Sequence, residues 1–228
     1  RSLQLGHGTH ERVHRGGRGV LGRSVGHQFR RELLVPARMH TNEYKGVNTW
    51  YFVRHGQSVA NRDGWLAGHY DAPLSPLGVR QAEELRPQID PLPLTQIYTS
   101  DLQRAHLTAQ RITVGHDIPI QIDPALRERH LGDWEQTRRD WALAPSRKHK
   151  LMGWKTGPPK GECRRDVAIR ILTWLAQQKT GSHTLLVAHG TLLGAIVGLL
   201  DGTPVETIGW SFMPNATLFK REVAAHQW

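Results

Sequence analysis

Two histidine-glycine pairs are the residues of this sequence best suited to chemistry at a shared centre. His55 and Gly56 follow the apolar stretch "WYFV" and the cation Arg54, and His189 and Gly190 follow the apolar stretch "TLLVA". A neutral imidazole is a competent nucleophile near pH 7 and can also donate a hydrogen bond. The pattern indicates a site in which one histidine attacks an electrophilic atom while the other stabilises the developing charge.

Two arginines indicate that the electrophilic atom is phosphorus. Arg54 stands directly before His55, and Arg104 falls in the first turns of the helix predicted for "DLQRAHLTA". A guanidinium group is a planar fork of donors that keeps its proton, so it matches the oxygens of a phosphate. We therefore expect His55 to attack phosphorus while Arg54 and Arg104 bind the phosphate. His189 is expected to donate a hydrogen bond to the equatorial oxygens.

A carboxylate further along the chain is the candidate for proton transfer. Glu128 lies in the segment "LRERHLGDWE". It is expected to protonate the leaving oxygen and then to take a proton from the attacking water. Asp133 and Glu135 lie close to it in the sequence and leave the identity of the acid open.

The main chain at Gly56 is expected to assist phosphate binding. A residue without a side chain lets the backbone approach the phosphate closely, and its amide adds a hydrogen-bond donor. Arg54 and Arg104 are expected to neutralise the phosphate, so the interpretation requires no metal ion and no cofactor.

Short apolar runs alternate with helical periods from Met39 onward, which predicts a layered α/β domain with a largely parallel sheet. Ligands of such sheets bind beyond the carboxyl ends of the strands, where both histidines would lie. The polar residues 135–160 are expected to pass over this face, and Pro119 and Pro124 place the third strand at an edge. The predicted strands are Thr49–Val53, Gln96–Thr99, Ile118–Ile122, Thr184–Ala188 and Ala216–Val223, and the predicted helices begin at Pro76 or span Leu102–Ile112, Arg165–Gln178 and Leu192–Leu200.

Residues 1–38 differ from the rest in composition. They contain eight arginines and no lysine against Glu11 and Glu32, which gives +6 of the net charge of +10. The segment is rich in glycine and histidine and has no sustained helical or strand period, so we expect a disordered basic extension. A non-native or mis-started extension before Met39 is the favoured interpretation. A basic arm for nucleic acid or membrane and an organellar transit peptide are alternatives.

Composition limits the remaining classes of protein. The 228 residues suffice for one substantial domain, and the single cysteine, Cys163, allows no intramolecular disulfide, as is typical of a reducing compartment. No apolar run is long enough to span a membrane. The first residues given show no apolar segment of the kind a secretory leader has, so Sec-type secretion is not expected. A cytoplasmic protein is therefore expected, with no membrane partner. Nucleic-acid binding is disfavoured, because most of the excess charge lies in residues 1–38.

Four segments, in this order, resemble the histidine phosphatase (phosphoglycerate mutase-like) superfamily over roughly Thr49 to Val223. They are "RHGQSVAN", "YTSDLQRAHLTA", "LRERHLGDWE" and "LVAHGTLL", and "PPKGECRRDVAIRI" is similar to a further family segment, with Cys163 where serine is usual. The resemblance implies a three-layer α/β/α fold with a mostly parallel central sheet in residues 39–228. It also implies His55 as the nucleophile, Glu128 as the proton donor, and a phosphate pocket formed by Arg54, Arg104 and His189 with Asn61 near it.

The resemblance favours the phosphatase branch over the mutases. Only 61 positions separate Glu128 from His189, whereas the mutases carry a longer insertion. Leu131 stands where they have tyrosine, and Ala67 stands where they have threonine or serine. We expect hydrolysis of a small phosphomonoester, with a sugar phosphate and α-ribazole phosphate as candidates. A phosphoglycerate mutase-type phosphotransferase and a catalytically idle binding protein are alternatives, and the possibility of a homodimer is left open.

Overall fold

The strand that delivers the first histidine is a buried inner strand of the sheet. A computed structural model of the chain describes residues 47–178, 181–204 and 213–224. Strand β1 spans Val47–Arg54, and its six inner residues are all buried. Such continuous burial is typical of a strand that is covered on both faces.

The described strands form a five-stranded sheet in the order β3-β2-β4-β1-β5, with β5 antiparallel to β1 and every other pairing parallel. Arg54 at the end of β1 pairs with Ala188 at the end of β4, so both strands finish at the same level. The first residues beyond them are His55 and His189. The remaining strands are β2 (Gln96–Thr99), β3 (Ile120–Ile122), β4 (His183–Ala188) and β5 (Leu218–Ala224).

Helices cover both faces of this sheet. Along β1, Tyr51 and Val53 pack into a cluster with α2 and α3, while Trp50 and Phe52 pack into another with α6 and α7. The alternation follows from the two-residue period of a strand. The helices are α1 (Val59–Asp63), α2 (Pro76–Ile89), α3 (Gln103–Ile112), α4 (Arg139–Leu143), α5 (Pro145–Met152), α6 (Arg164–Leu175) and α7 (Gly190–Leu200). The predicted three-layer α/β/α fold with a mostly parallel sheet is confirmed.

Most predicted elements are present, with small shifts at their ends. The helix that begins at Pro76 follows the N-cap Ser75, whose side chain accepts a bond from the Gly78 amide. The predicted edge strand is at the edge, but it starts at Ile120 because Pro119 precedes it and provides no amide hydrogen. The last buried helix starts at Gly190, two residues earlier than expected, so that His189 is its N-cap.

The polar segment 135–160 contains two helices that the sequence pattern did not predict. α4 and α5 are only five and eight residues long, and Pro145 begins the second. Such short segments show too few turns for a helical period to be recognised. Leu131, Trp134 and Ala142 form a small buried cluster under this region.

Parts of the chain lie outside the described residues, including the predicted extension 1–38. Among the residues that are described, none of the helices combines the length and the apolar character needed to cross a membrane.

Two glycines allow a close backbone contact below the first histidine. A Cβ on Gly56 would come within 2.3 Å of the Gly78 carbonyl oxygen, and a Cβ on Gly78 would come within 2.0 Å of the Gln57 carbonyl oxygen. Both contacts are with backbone, which cannot move aside as a flexible side chain can. The turn after β1 can therefore lie against the start of α2 only because neither glycine carries a side chain.

We expect Gly56→Ala and Gly78→Ala each to lower the free energy of unfolding by roughly 2 kcal/mol or more. For Gly78 this reverses the usual benefit of alanine inside a helix. Gly202→Ala is the matched control, because Gly202 has open space around it and a φ of +70°. It should cost only about 1 kcal/mol for the left-handed backbone. Denaturant unfolding measures all three, and equal losses would contradict the proposed contact.

Candidate active site

Two buried imidazoles face each other at the carboxyl end of the sheet. The ring centroids of His55 and His189 are 5.1 Å apart, and the two residues are 3% and 0% exposed. The amide of His55 donates to the Ala188 carbonyl oxygen at 3.0 Å, which continues the β1–β4 pairing by one residue. The register of the two strands therefore sets the separation of the two rings.

The His55 ring is held in one orientation by its own turn. Nδ1 lies 2.7 Å from the carbonyl oxygen of Gly56. A carbonyl oxygen can only accept, so Nδ1 carries the proton in the neutral ring. Nε2 is then left with its lone pair, as a nucleophile requires.

The His189 ring has no hydrogen-bond partner for either nitrogen among the described residues. Leaving a buried polar group unpaired costs about 1–3 kcal/mol. Since His189 is the N-cap of α7, its ring lies at the amino end of that helix. The site is therefore suited to an anionic ligand that would accept a bond from this imidazole.

Arg104 and Arg54 bring two guanidinium groups to the same place. Arg104 is 1% exposed and donates to the carbonyl oxygens of Tyr70 at 3.0 Å and Gly68 at 2.8 Å. Neither partner carries a charge that would neutralise it. Arg54 donates to the Met213 carbonyl oxygen. An anion between the two arginines would meet preorganised positive charge.

Gly190, which follows the second histidine, leaves space for the Arg54 side chain. A Cβ on Gly190 would lie 3.3 Å from Nε of Arg54 and 3.4 Å from its Cζ. Contacts this short are tighter than ordinary packing, so a side chain at Gly190 would displace the guanidinium. Gly190 therefore helps to position Arg54 beside the first turn of α7.

The Glu128 carboxylate is bound by two backbone amides. Oε1 accepts from the Arg129 amide at 2.8 Å, and Oε2 accepts from the Thr191 amide at 3.1 Å. The Thr191 amide belongs to the first turn of α7, which begins directly after His189. The carboxylate and the second imidazole are thus fixed by the same helix end.

The two rival carboxylates have other contacts. Glu135 Oε1 accepts from the amides of His69 at 2.7 Å and Leu131 at 3.2 Å. Asp133 forms an ion pair with Lys160 at 3.1 Å. Neither lines the cleft that Glu128 lines. The geometry therefore favours Glu128 as the acid.

Five of the predicted site residues line a cleft of about 350 Å³, whereas His189 and Gly56 are not among the residues that line it. His55, Arg54, Arg104, Glu128 and Asn61 line it. The opposite wall is mainly apolar and comes partly from α4 and α5, as was expected for residues 135–160. Its side chains are Trp65, Leu66, Leu131, Leu143, Leu151 and Met152.

Gly56 and Asn61 each make contacts in the structure that their predicted roles did not include. The Gly56 amide donates to Thr108 Oγ1 at 3.0 Å. The expectation that this amide donates to phosphate stays a prediction. The need for glycine there comes from Gly78. Asn61 lines the cleft, but its Oδ1 accepts from the Ser58 amide at 3.2 Å and from Asn215 Nδ2 at 3.3 Å. Its side chain therefore also holds the loop together.

Sequence reasoning missed Arg139 and, apart from Leu131, the residues of the apolar wall. Arg139 stands in a run of polar residues with no apolar pattern around it, so nothing in the sequence marked it as part of the site. Asn215, whose Nδ2 donates to the His55 carbonyl oxygen at 2.8 Å, was also missed. Among the described residues, no three histidine, cysteine, aspartate or glutamate side chains lie together as metal ligands would.

The surroundings keep both imidazoles neutral. Burial lowers the pKa of His55 well below 6.5, and the charges of Arg104 and Arg54 lower it further. Burial likewise lowers the pKa of His189 well below 6.5, followed by the effect of Arg104. A neutral His55 has its Nε2 lone pair available at and below neutral pH.

The same shifts predict a loss of stability in mild acid. Below about pH 6.5 histidines of the unfolded chain bind protons, while His55 and His189 stay neutral in the fold. The free energy of unfolding should then fall as the pH falls, by at most about 1.4 kcal/mol per pH unit for each of the two. Unfolding curves recorded at several pH values measure this. His189→Gln should flatten the dependence relative to the wild-type protein, and an unchanged slope would refute the assignment.

Comparison with known proteins shows which family the chain is similar to. The profile of the histidine phosphatase superfamily (branch 1) matches residues 50–228. A probable phosphoglycerate mutase GpmB of Photorhabdus laumondii is 33% identical over 78% of this chain and 86% of its own length. The adenosylcobalamin/alpha-ribazole phosphatase of Escherichia coli K12 is 30% identical over 71% of this chain and 83% of its own.

One solved structure is similar to this chain in both sequence and fold. The mycobacterial glucosyl-3-phosphoglycerate phosphatase in complex with VO3 is 30% identical, with a TM-score of 0.67, and the match covers 75% of this chain and 91% of that one. Since the family profile spans most of the chain and the relatives agree with it, the chain is an enzyme of the histidine phosphatase superfamily.

Proposed function

We propose that this chain is a metal-independent phosphomonoester hydrolase that works through a phosphohistidine on His55. The observation that carries the proposal is the His55 ring, buried and neutral, with Nδ1 bound to the Gly56 carbonyl oxygen and Arg54 and Arg104 acting on it. A nucleophile of this kind can form a covalent intermediate that divides one difficult displacement into two easier ones.

In the first step Nε2 of His55 attacks phosphorus. The bond from phosphorus to the ester oxygen breaks, and Glu128 gives that oxygen a proton. The ring becomes positively charged, and its Nδ1–H keeps the bond to the Gly56 carbonyl oxygen, which favours the charged ring. His189 donates to an equatorial phosphoryl oxygen as negative charge grows there. One of its two ring nitrogens, neither of which has a partner among the described residues, thereby gains one.

In the second step water attacks the phosphohistidine. Glu128, now ionised, takes a proton from the water as its oxygen bonds to phosphorus. The Nε2–P bond breaks, inorganic phosphate is released, and the neutral imidazole and protonated acid are restored. Because Glu128 is held by the Thr191 amide beside His189, one carboxylate is in place for both transfers.

The lining of the cleft supports hydrolysis over transfer to a second substrate. Ala67 and Leu131 face the cleft and bring no hydroxyl that could retain a second phosphorylated molecule. Water then competes well for the phosphohistidine. The substrate is proposed to be a small phosphorylated metabolite, such as a sugar phosphate or α-ribazole phosphate, in keeping with the relative that is named an alpha-ribazole phosphatase.

A mutase is the second candidate, because a relative 33% identical is named a probable phosphoglycerate mutase. The two reactions separate in one assay with 3-phosphoglycerate and 2,3-bisphosphoglycerate. Net release of inorganic phosphate supports the hydrolase. Isomerisation without phosphate release would support the mutase.

We expect His55→Ala to abolish turnover of p-nitrophenyl phosphate and wild-type activity to survive a metal chelator. Acid quenching during turnover of a labelled phosphomonoester should trap label on His55. His106→Ala, in α3 and outside the cleft, is the matched control and should keep both activity and label. Label absent from the wild-type protein would rule out the covalent route.

Glu128→Gln should slow turnover by roughly 10²–10⁴. The loss should be smallest for esters such as p-nitrophenyl phosphate, whose leaving oxygen needs no proton, and largest for alkyl phosphates. Asp133→Asn is the control, since Asp133 is outside the cleft. An equal loss with every leaving group, measured as kcat across an ester series, would reassign the acid.

A further inference from the structure

The residues around the proposed acid Glu128 have no regular secondary structure of their own. A single 3₁₀ turn, Pro124–Leu126, ends just before them, and residues 127–131 belong to neither a helix nor a strand. Their backbone carbonyl groups therefore need partners from elsewhere in the fold. Since the Glu128 carboxylate accepts from the Arg129 amide, its position depends on how this backbone is fixed.

Arg170 of α6 supplies partners for three carbonyl groups in this part of the chain. Its Nη1 donates to the carbonyl oxygens of Ala125 at 2.7 Å and Arg127 at 2.9 Å, and its Nη2 donates to that of Glu128 at 3.4 Å. Nε and Nη2 also donate to the two carboxylate oxygens of Glu162, at 3.0 Å and 2.9 Å. The guanidinium group thus makes five hydrogen bonds, as many as it has N–H donors.

Glu162 binds the same segment on the C-terminal side of Glu128. Its Oε2 accepts from the His130 amide at 2.8 Å, and its own amide donates to the His130 carbonyl oxygen at 2.9 Å. Its carbonyl oxygen accepts from Arg129 Nε at 2.6 Å. The side chains of Arg170 and Glu162 form an ion pair at 2.9 Å and are 20% and 21% exposed. The pair therefore holds the backbone both before and after the proposed acid.

The ion pair is supported by the core of the protein. Ile171 and Leu175 of α6 lie in the buried cluster that also contains Leu126. Close packing leaves such a helix little freedom to shift against the sheet. Arg170 therefore binds the segment that carries Glu128 to an element that is itself fixed.

We propose that Arg170 is a positioning residue for proton transfer, which holds the Glu128 carboxylate at the leaving oxygen through the backbone of residues 125–128 and through Glu162. The inference rests on the proposed function and adds to it a residue outside the cleft. Arg170 does not line the cleft, so it acts on the reaction only through Glu128. A purely structural role would lower stability alone, whereas a positioning role changes which esters are slowed.

Arg170→Gln tests this through the dependence of kcat on the leaving group. It should slow alkyl phosphates by roughly tenfold or more, because a displacement of about 1 Å can cost about 10²-fold. It should slow p-nitrophenyl phosphate much less, since that leaving oxygen needs no proton. Trp174→Phe is the comparison variant on the same helix, because it removes the bond from Trp174 Nε1 to Asp123 at 2.9 Å and none of the bonds to residues 125–130. It should keep the wild-type dependence.

A double-mutant cycle separates positioning from general destabilisation. In the Glu128→Gln background, Arg170→Gln should cause little further loss with alkyl phosphates, because no acid is left to position. Additive losses, or a loss from Arg170→Gln that is equal for every leaving group, would overturn the inference. Arg170→Lys keeps the charge but has all its donors on one nitrogen. It should show the same pattern in smaller measure, so it carries the test if Arg170→Gln does not fold.

The Glu128→Gln series distinguishes failure of this inference from failure of the proposed function. If Glu128→Gln slows alkyl phosphates most and Arg170→Gln does not, only the inference falls. If Glu128→Gln slows every ester equally, the acid is reassigned and the inference falls with it. Thermal unfolding of each variant confirms that the rates belong to folded protein.

Discussion

The parallel pairing of β1 with β4 is the constraint on which the rest of the site depends. Both strands end at the paired residues Arg54 and Ala188, and each is followed at once by a histidine. Hydrogen bonds along two neighbouring strands thus fix two rings from distant parts of the chain at one level. A slip of one residue in this register would turn the side chains of one strand to the opposite face of the sheet. The backbone hydrogen bonds between the two strands determine where the two rings lie, and the helices that pack around the strands bury them.

The site contains groups that the fold alone does not satisfy. Among the described residues, neither ring nitrogen of the fully buried His189 has a hydrogen-bond partner, and the hydrogen bonds of the buried Arg104 go to neutral carbonyl oxygens. Such groups oppose folding, and the two large clusters on either face of the sheet offset that cost. The proposed function assigns a phosphate as the partner of the Arg104 guanidinium group and of one nitrogen of the His189 ring.

The sequence was most informative where a reactive residue directly follows a recognisable strand or helix pattern. His55 and His189 could be placed because each follows a clear apolar strand, and Glu128 and Arg104 because they lie in segments similar to a known family. The role of Gly56 could not be predicted, since its close neighbour Gly78 is distant in the sequence. The wall formed by α4 and α5 was predicted only as a polar excursion. Short helices and an isolated cation such as Arg139 show no period, and only tertiary contacts reveal which way they face.

The division of the cleft between two sets of elements has a consequence for how such an enzyme can change. The nucleophile and its cations come from strand ends and from helices that pack on the sheet, whereas much of the opposite wall comes from residues 139–152. Replacing or lengthening that stretch would exchange the surface offered to a new compound while the reacting atoms stayed in register. Substrate range and chemical competence can therefore vary separately in this architecture, and the fold could acquire new metabolites without rebuilding its centre.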